Sequence, residues 1–284
     1  MEKTDIQNMF SVKDKVCVIT GGGGILCGNM ALNLARAGAK TVLLDLRPEG
    51  AQKYIDEIIR EGGSGSAYAC NVLDKENVNN VCTKVIETYG KIDVLINGAG
   101  GNSPKGTTDK EFFEEKDLAV NGKDFFNLDI EGFKFTSDLN FIGTLIPTQV
   151  FARHMAAQKN GCVINISSMA AFKPLTKAPA YAAAKASVSN FTMWLAVYLG
   201  MVNVRVNAIA PGFFLTDQNR FLLTTQSGDL TERGKTIIAH TPQRRFGTND
   251  DLISTLFWLI SDKSCFVNGS VIPVDGGFSA FSGV

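Results

Sequence analysis

The sequence predicts an α/β protein with a single-domain, doubly wound Rossmann fold around a seven-stranded parallel sheet. Short apolar, β-rich segments alternate with longer segments of helical periodicity along the chain. The apolar segments are nearly continuous, which is typical of strands that are covered on both faces. The first of them leads directly into the glycines 21–24, a composition typical of a loop that binds phosphate groups.

The predicted elements follow one another with no repeat and no linker that would divide the chain. Strands are expected at residues 15–20, 41–45, 66–70, 92–97, 161–167, 203–209 and 271–274. Helices are expected near residues 25–38, 48–62, 74–89, 136–158, 180–200 and 248–261. We therefore predict one dinucleotide-binding domain over residues 1–284, interrupted by an extended connection at about 101–135.

Composition narrows the class of protein. The chain has 284 residues, of which 45% are hydrophobic, enough for one large domain with a substantial core. Its 28 basic and 28 acidic residues cancel, so the charge gives no indication of a nucleic-acid partner. No apolar run approaches the roughly 18 residues of a membrane-spanning helix, and the first ten residues lack the apolar core of a secretion signal. We expect no membrane partner and a cytoplasmic location.

Cysteines and histidines give no indication of a metal site. The six cysteines form no Cys-x-x-Cys pair and mostly lie in apolar segments, which favours reduced thiols in a cytoplasmic protein. The two histidines, His154 and His240, have no paired ligand spacing. We therefore expect no metal.

The first β-α-β segment predicts a dinucleotide site. A strand ending at Thr20 is followed by the glycines 21–24 and by a helix from Ile25, so backbone N–H groups can approach a pyrophosphate. The next strand ends at Asp45, about 25 residues after the first glycine. A carboxylate there can accept hydrogen bonds from ribose hydroxyls and repels a 2′-phosphate, which favours NAD(H) over NADP(H). Arg47, two residues further on, keeps NADP(H) open as the less favoured alternative.

A second group of residues predicts acid/base chemistry. Lys185 follows Tyr181 by four residues, so the two side chains share a helix face. We expect the Lys185 ammonium to lower the pKa of the Tyr181 phenol, which would make it a usable general acid or base. Ser168 lies thirteen residues before Tyr181, at the end of an apolar strand, where its hydroxyl could bind a substrate oxygen.

Together these residues resemble the short-chain dehydrogenase/reductase family, and further motifs extend the resemblance from about Lys13 to Gly277. They are Asn97-Gly98-Ala99-Gly100, Asn140 within Asp138-Leu139-Asn140-Phe141, Pro211-Gly212 with Thr216, and Val274-Asp275-Gly276-Gly277. The resemblance implies an NAD-dependent oxidoreductase with the catalytic residues Asn140, Ser168, Tyr181 and Lys185. It also implies cofactor contacts from Gly21, Gly23, Gly24, Ile25, Asp45, Asn71, Val72, Asn97, Gly98, Ala99, Tyr181, Lys185, Pro211, Gly212 and Thr216.

Two positions depart from the family's pattern. Ile25 and Cys27 stand where the family has a small residue and a glycine, and a glycine follows instead at Gly28. Gly98 stands where the family has an asparagine. Neither departure affects the four expected catalytic residues, although it leaves open which glycines touch the cofactor.

The connection at about 101–135 is longer than the family's usual one and leaves the edge of the sheet where ligands bind. Its flanking sequences and the segment Gly277–Gly283 resemble the sub-branch of D-mannonate oxidoreductases, or fructuronate reductases. The implied substrate is a small molecule, a sugar acid or a polyol. Alternatives are a 3-oxoacyl-carrier reductase, a gluconate or polyol dehydrogenase and, least favoured, a non-catalytic cofactor sensor.

Two further expectations concern the substrate and the assembly. A sugar acid carries a carboxylate, so the site should contain a cation; the candidates are Lys105, Lys123, Lys134 and Arg220. The helices predicted at 136–158 and 180–200 carry more apolar residues than one sheet face needs. Relatives pair these helices across a two-fold axis, so the resemblance implies a homotetramer.

Overall fold

A parallel sheet forms the centre of the protein, whose computed structural model describes residues 8–216 and 219–283. In chain order its strands are β1 (Val16–Thr20), β2 (Lys40–Asp45), β3 (Ser64–Ala69), β4 (Val94–Asn97), β5 (Gly161–Ile166), β6 (Val204–Pro211) and β7 (Val271–Val274). The seven strands lie in the order β3-β2-β1-β4-β5-β6-β7, and all neighbours pair in parallel. The predicted doubly wound fold is therefore confirmed, with strand ends shifted by two residues or fewer.

Helices cover both faces of the sheet. In chain order they are α1 (Ile25–Arg36), α2 (Pro48–Arg60), α3 (Lys75–Tyr89), α4 (Ile130–Ser137), α5 (Gly143–Gln158), α6 (Pro179–Leu199), α7 (Arg220–Leu223), α8 (Glu232–His240) and α9 (Ile253–Ile260). The sequence analysis did not predict α7 and α8. Thr231 caps α8 by accepting a hydrogen bond from the Gly234 N–H at 3.1 Å. Only Gly234 and Ile237 of α8 are buried, so its apolar periodicity was too weak to indicate a helix.

The pleat of the strands divides the core into two layers. Cys17 and Ile19 of β1 face one layer, where they are clustered with buried residues of α1, α2 and α9. Val16 and Val18 face the other layer, which contains buried residues of α3, α5 and α6. Because successive side chains of a strand point to opposite faces, an unbroken apolar run fills both layers at once.

The helix predicted at 136–158 begins earlier and is not uniform. Asp129 caps α4 by accepting hydrogen bonds from the N–H groups of Glu131 and Gly132, at 3.0 and 3.2 Å. A π-helical turn at Asp138–Ile142 then joins α4 to α5. Such wide turns are frequent at functional sites, and this one contains Asn140.

The extended connection leaves β4 and returns through α4. It contains two 3-10 helices, at Pro104–Gly106 and Glu115–Ala119, the second anchored by an ion pair between Lys110 and the buried Asp117. Its two ends meet, since a Cβ on Gly106 would lie 3.1 Å from the Gly132 carbonyl oxygen. In its course, the Thr108 N–H donates to the Lys177 carbonyl at 3.0 Å. The connection thus borders the segment that precedes Tyr181.

None of the helices within residues 8–216 and 219–283 is both long enough and apolar enough to span a membrane.

Candidate active site

The glycine turn between β1 and α1 is built for close approach. Gly21 has φ +68°, and a Cβ there would lie 2.8 Å from the Ala99 backbone nitrogen. The Gly22 N–H donates to the Leu44 carbonyl at 3.1 Å, which ties the turn to β2. Only glycine can hold this backbone conformation against the loop that follows β4. The turn and that loop therefore form one surface.

The start of α1 fits a negatively charged group. Its N-cap residue, Gly24, supplies no side-chain cap, and the first turn carries no acidic residue. The first N–H groups of a helix have no partner within the helix, and they carry the positive end of its dipole. With Ile25 as the first helical residue, this end of the helix can receive the pyrophosphate of a dinucleotide.

Asp45 lies against the same turn. One carboxylate oxygen accepts the Gly23 N–H at 3.0 Å, and the other accepts the Arg47 N–H at 3.0 Å. These two bonds fix the carboxylate at the carboxyl end of β2, and each oxygen keeps lone pairs for a ribose hydroxyl. Asn71 and Val72 follow β3 at the same edge, where Asn71 is exposed and Val72 is buried.

Asn97 points into the protein. Its side-chain amide donates to Thr148 Oγ1 and to Asn165 Oδ1, both at 2.8 Å, and the residue is 2% exposed. The expected cofactor contact at this position is therefore restricted to the backbone. The next two N–H groups, of Gly98 and Ala99, both donate to Thr20 Oγ1 at 3.1 Å, so the end of β4 is tied to the end of β1.

The two departures from the family's pattern, at Cys27 and at Gly98, lie next to each other in the structure. A Cβ on Gly98 would lie 2.1 Å from Cys27 Sγ, so the cysteine fills the space beside that glycine. A Cβ on Gly28 would lie 2.0 Å from the Tyr54 ring of α2. The glycine at 28 therefore lets α1 and α2 approach, while the sulfur at 27 supports the loop after β4.

Asn140, in the π-helical turn between α4 and α5, is bonded to the loop after β4. Its amide nitrogen donates to the Gly101 carbonyl at 2.6 Å and to the Thr136 carbonyl at 2.8 Å. Its oxygen accepts the Gly101 N–H at 3.2 Å. The side chain is fully buried and is therefore held by the chain itself, beside the ammonium of Lys185: a Cβ on Gly100 would lie 2.6 Å from Asn140 Oδ1 and 3.4 Å from Lys185 Nζ.

Serines 167 and 168 follow β5 directly and make different contacts. Ser167 Oγ donates to the Lys185 carbonyl at 3.1 Å and lies 2.7 Å from Ser189 Oγ, which fixes α6 to the strand. Ser168 Oγ accepts the Ala170 N–H at 3.1 Å. The Ser168 hydroxyl also acts to lower the pKa of Tyr181, against the larger effect of burial. The structure thus places Ser168 beside Tyr181.

Lys185 is buried beneath Tyr181. Its ammonium donates to the Ile166 carbonyl at 2.7 Å and lies 5.7 Å from the Tyr181 ring centroid. Burial lowers the pKa of Lys185 from 10.5 to about 8, with the nearby Cys27 acting in the opposite direction. Taking a cation out of water favours its neutral form, which explains the direction.

The expected effect of Lys185 on Tyr181 is not present in this structure. Burial raises the pKa of Tyr181 above its usual value of 10, and the Ser168 hydrogen bond opposes this rise. Because the Lys185 ammonium is bonded to a backbone carbonyl, it does not compensate for the lost hydration of the phenolate. The prediction of a lowered Tyr181 pKa was therefore wrong.

The substrate side of Tyr181 includes residues that the sequence analysis missed. Phe213 and Phe278 pack edge to face, with ring centroids 5.2 Å apart, and belong to one apolar cluster with Tyr181 and Met169. Gly212 allows this arrangement, since a Cβ there would lie 2.6 Å from the Asp275 Cα. Pro211 ends β6 in the interior, and the Thr216 N–H donates to Asn219 Oδ1 at 2.8 Å.

The four candidate cations differ in their surroundings. Lys134 forms an ion pair with Asp138 at 2.8 Å, so its charge is already compensated. Lys105 and Lys123 are exposed on the connection, and Arg220 is exposed at the start of α7. A further cation, Lys173, lies between Ser168 and Tyr181 in the sequence. It is partly buried, and its ammonium donates to the Phe281 carbonyl. A neutral carbonyl leaves that charge uncompensated.

The fold and this site define an oxidoreductase that acts on a CH–OH group. The family described as enoyl-(acyl carrier protein) reductase matches residues 26–279, and the chain belongs to this family of short-chain dehydrogenases/reductases.

Among its relatives, an uncharacterized oxidoreductase of Haemophilus influenzae is 50% identical over 275 residues, with 96% of each chain covered. A crystal structure from that species, whose provisional name is D-mannonate oxidoreductase and which has bound NAD, has a TM-score of 0.91. It is 50% identical and covers 96% of this chain and 98% of its own. The 2-dehydro-3-deoxy-D-gluconate 5-dehydrogenase of Escherichia coli is 31% identical over 276 residues, with coverages of 97% and 99%.

Proposed function

We propose that this protein is an NAD-dependent oxidoreductase that interconverts a secondary alcohol and a ketone on a sugar acid of the D-mannonate/fructuronate type. The observation that supports this most directly is the placement of Ser168, Tyr181 and the buried Lys185 beside the glycine turn, at one edge of the sheet. At the carboxyl edge of parallel strands, a ligand meets groups from several strands at once.

In the oxidation direction, Tyr181 as phenolate takes the hydroxyl proton of the alcohol, and the carbon–oxygen bond becomes a carbonyl. The nicotinamide supplies the chemistry of hydride transfer by accepting the hydride that leaves the same carbon. Ser168 binds the substrate oxygen and stabilises the Tyr181 phenolate. Lys185 holds a positive charge below Tyr181, and Asn140 fixes the loop beside it. Reduction uses the same groups in reverse, with Tyr181 as the acid.

Asp45 supports NAD(H) as the cofactor. Its carboxylate lies against the Gly23 N–H, where a 2′-phosphate would bring like charges together. We expect a higher kcat/KM with NAD(H) than with NADP(H), and the Asp45→Ala variant should reduce the preference by roughly tenfold. Steady-state kinetics with both cofactors measure this. A wild-type preference for NADP(H) would contradict the assignment.

The sugar-acid proposal has two supports. One is the relationship to the NAD-bound structure from Haemophilus influenzae. The other is the charge of Lys173, whose ammonium donates to Phe281, three residues after the Phe278 that packs in one cluster with Tyr181. An ammonium whose hydrogen-bond acceptor is a neutral carbonyl can bind the substrate's carboxylate more strongly than an ion-paired lysine can. We propose Lys173, ahead of Lys105, Lys123, Lys134 and Arg220, as the residue that binds this carboxylate.

The test measures fructuronate reduction with NADH and D-mannonate oxidation with NAD⁺. Lys173→Ala should raise the KM for fructuronate roughly tenfold or more, because a charge-assisted hydrogen bond is lost, and should leave the KM for NADH unchanged. The Lys84→Ala variant, which removes a charge from the exposed surface of α3, is the matched control. Turnover of a neutral ketone in preference to uronates would remove the sugar-acid proposal.

The main alternative is a 3-oxoacyl-carrier reductase, since a 3-oxoacyl-[acyl-carrier-protein] reductase of Thermotoga maritima is 31% identical to this chain. A gluconate or polyol dehydrogenase is the other alternative, since a 2-dehydro-3-deoxy-D-gluconate 5-dehydrogenase is among the relatives. Assays with a 3-oxoacyl thioester, with gluconates and with polyols distinguish these activities from uronate reduction. A non-catalytic cofactor sensor would turn over none of them.

We also propose a homotetramer and a cytoplasmic location. The outer face of α6 exposes a row of stacked aromatic side chains, with Trp194 and Tyr198 at 56% and 69% exposure. Such a face supports pairing with a second copy. All six cysteines are free, five of them buried, which agrees with a reducing compartment. Light scattering at micromolar concentration tests the assembly, and a monomer would contradict it.

A further inference from the structure

Cys27 and Gly98 compete for one space at the junction of the cofactor loops. A Cβ on Gly98 would lie 2.1 Å from Cys27 Sγ, a distance that no pair of non-bonded atoms tolerates. The next nearest atoms to the same Cβ would be the Thr20 carbonyl oxygen, at 3.0 Å, and Cys27 Cβ, at 3.7 Å. The contact with Cys27 Cβ is an ordinary van der Waals contact, whereas the contact with the Thr20 oxygen requires a small shift of the backbone. The sulfur atom therefore causes most of the conflict.

Apart from the Thr20 carbonyl oxygen, 3.0 Å from a Cβ at position 98, nothing else among the residues that the structure describes requires a glycine there. Its φ is not positive, so the backbone there suits any L-residue. Gly21, in contrast, has φ +68° and is constrained by its own conformation as well as by its neighbours. The absence of a side chain at position 98 is thus explained by the presence of sulfur at position 27.

A displacement at Gly98 would reach the glycine turn directly. The N–H groups of Gly98 and Ala99 share Thr20 Oγ1 as acceptor, at 3.1 Å each. Ala99 in turn packs against Gly21, whose Cβ would lie 2.8 Å from the Ala99 nitrogen. Three contacts therefore link Cys27 to the backbone that borders the proposed cofactor site. Close-packed interiors transmit such shifts instead of absorbing them.

The thiol itself is not a reacting group. Cys27 is 5% exposed, and burial raises its pKa to about 12, with Lys185 opposing the rise. A thiol that stays protonated is a poor nucleophile and a poor metal ligand. Its contribution is its volume.

We propose that Cys27 and Gly98 form a size-matched pair and that Cys27 is a positioning residue, which holds the loop after β4 in the geometry that binds the cofactor. This inference rests on the proposed use of NAD. It is independent of the proposed sugar-acid substrate, because the pair lies on the cofactor side of Tyr181.

The test is a double-mutant cycle read out as the Kd for NAD⁺ by isothermal titration calorimetry. Gly98→Ala should weaken NAD⁺ binding by roughly tenfold, because overpacking displaces the loop. Cys27→Ala combined with Gly98→Ala should restore the Kd to within about threefold of wild type, since the added methyl then occupies the vacated space. The kcat at saturating cofactor should change less than the KM for NAD⁺ in each variant.

Two matched controls separate positioning from a general loss of stability. Gly122→Ala adds a Cβ at a position with no atom within 4 Å, and should leave the Kd unchanged. Cys82→Ala removes a buried thiol from the opposite layer, and should lower the melting temperature without rescuing Gly98→Ala. A Gly98→Ala variant that lowers the melting temperature but binds NAD⁺ as wild type does would show a merely structural role and overturn the proposal.

Exchange of both residues gives a second, stricter test. Cys27→Gly together with Gly98→Asn recreates the arrangement of the wider family, and it should bind NAD⁺ better than Gly98→Asn alone. Equal loss in the single and double variants would overturn the pairing. If wild-type protein binds NAD⁺ while Gly98→Ala binds it equally well, only this inference fails. If the wild type binds no nicotinamide cofactor, the proposed function fails together with it.

Discussion

The two halves of the site are built in different ways. The cofactor half consists of the glycine turn, Asp45 and the loop at residues 98–100. Its backbone segments approach closely, as where a Cβ on Gly21 would lie 2.8 Å from the Ala99 nitrogen, and the Asp45 carboxylate accepts the Gly23 N–H. The proposed substrate half consists of the connection at 101–129, the segment at 172–178 and the C-terminal turn at 275–281. There, large apolar side chains such as Phe112 and Phe125 are 78% and 73% exposed.

This difference separates what the protein must hold fixed from what it can vary. A dinucleotide is recognised by backbone N–H groups, so a shift of a few tenths of an ångström in the cofactor half changes every contact at once. Side chains on exposed loops can be exchanged with little effect on the fold. We therefore expect cofactor binding to depend on the scaffold and substrate preference to depend on the loops.

The largest expected effect lies where the two halves meet. Tyr181→Phe removes the hydroxyl that exchanges the proton, so turnover should fall by roughly 100- to 10,000-fold. The Kd for NAD⁺ should change little, because the ring and its packing remain. Single-turnover kinetics and calorimetry measure the two quantities. Near-normal turnover would show that Tyr181 is not the acid/base. Tyr181 would then not be the residue at which the two halves act together.

Gly21→Ala should be the next most damaging change, and it acts on the cofactor half alone. The substitution forces a left-handed backbone on alanine and places its methyl against Ala99, at a combined cost of about 2–5 kcal/mol. Urea unfolding and NAD⁺ titration should both show the loss, whereas Gly122→Ala should show neither. If Gly21→Ala binds NAD⁺ normally, the cofactor half is less rigid than its contacts indicate.

The third prediction concerns pH. Burial lowers the pKa of Lys185 from 10.5 to about 8, so the unfolded chain binds the extra proton between these values. Folding stability attributable to Lys185 should therefore rise with pH across that window, and below pH 8 its cost should be about 3 kcal/mol. Above pH 10.5 both states are neutral and the cost should vanish.

Lys185→Met removes this titration. Relative to wild type, the variant should be most stabilised near pH 7, and the gap should narrow as the pH rises from about 8 to 10.5. Urea unfolding of both proteins at several pH values measures the gap, and Lys84→Met on the surface of α3 is the control. The variant also loses the hydrogen bond from Lys185 to the Ile166 carbonyl, which lowers its stability by the same amount at every pH. A gap that does not change with pH would refute the prediction.

The smallest effect is expected in the substrate half. Phe125→Ser replaces a side chain that is 73% exposed, so it should change the free energy of unfolding by no more than about 0.5 kcal/mol. NAD⁺ affinity should not change. A loss above about 1 kcal/mol would mean that this patch is covered in solution. That result would show that the substrate half is also packed, and it would indicate that a second copy of the protein covers the connection at 101–129.

The cofactor half was largely predictable because its signals are local. The strand, the glycines and the acid at Asp45 follow one another within thirty residues, and the structure places them side by side. The helical spacing of Tyr181 and Lys185 likewise placed both side chains on one face. Such patterns depend on backbone periodicity, which the sequence carries directly.

The remainder depended on contacts between distant segments. The inward orientation of Asn97 is set by Thr148 and Asn165, which belong to two other elements. The pKa of Tyr181 depends on how deeply α6 buries the ring and on which carbonyl receives the Lys185 ammonium. Residue type alone does not give these distances, so the sequence predicted the participants but not their electrostatic balance.

The meeting of Gly106 with Gly132 has a consequence for how new specificities can arise. A Cβ on Gly132 would lie 2.7 Å from the Lys105 carbonyl carbon, so the excursion at residues 107–131 departs and returns at one point. A loop whose ends already touch can gain or lose residues at an entropic cost that grows only logarithmically with length. We therefore expect that residues 107–131 can be exchanged for a loop of different length without loss of the fold. Grafting this excursion between relatives should transplant substrate preference while the hydride-transfer machinery beneath it stays in place.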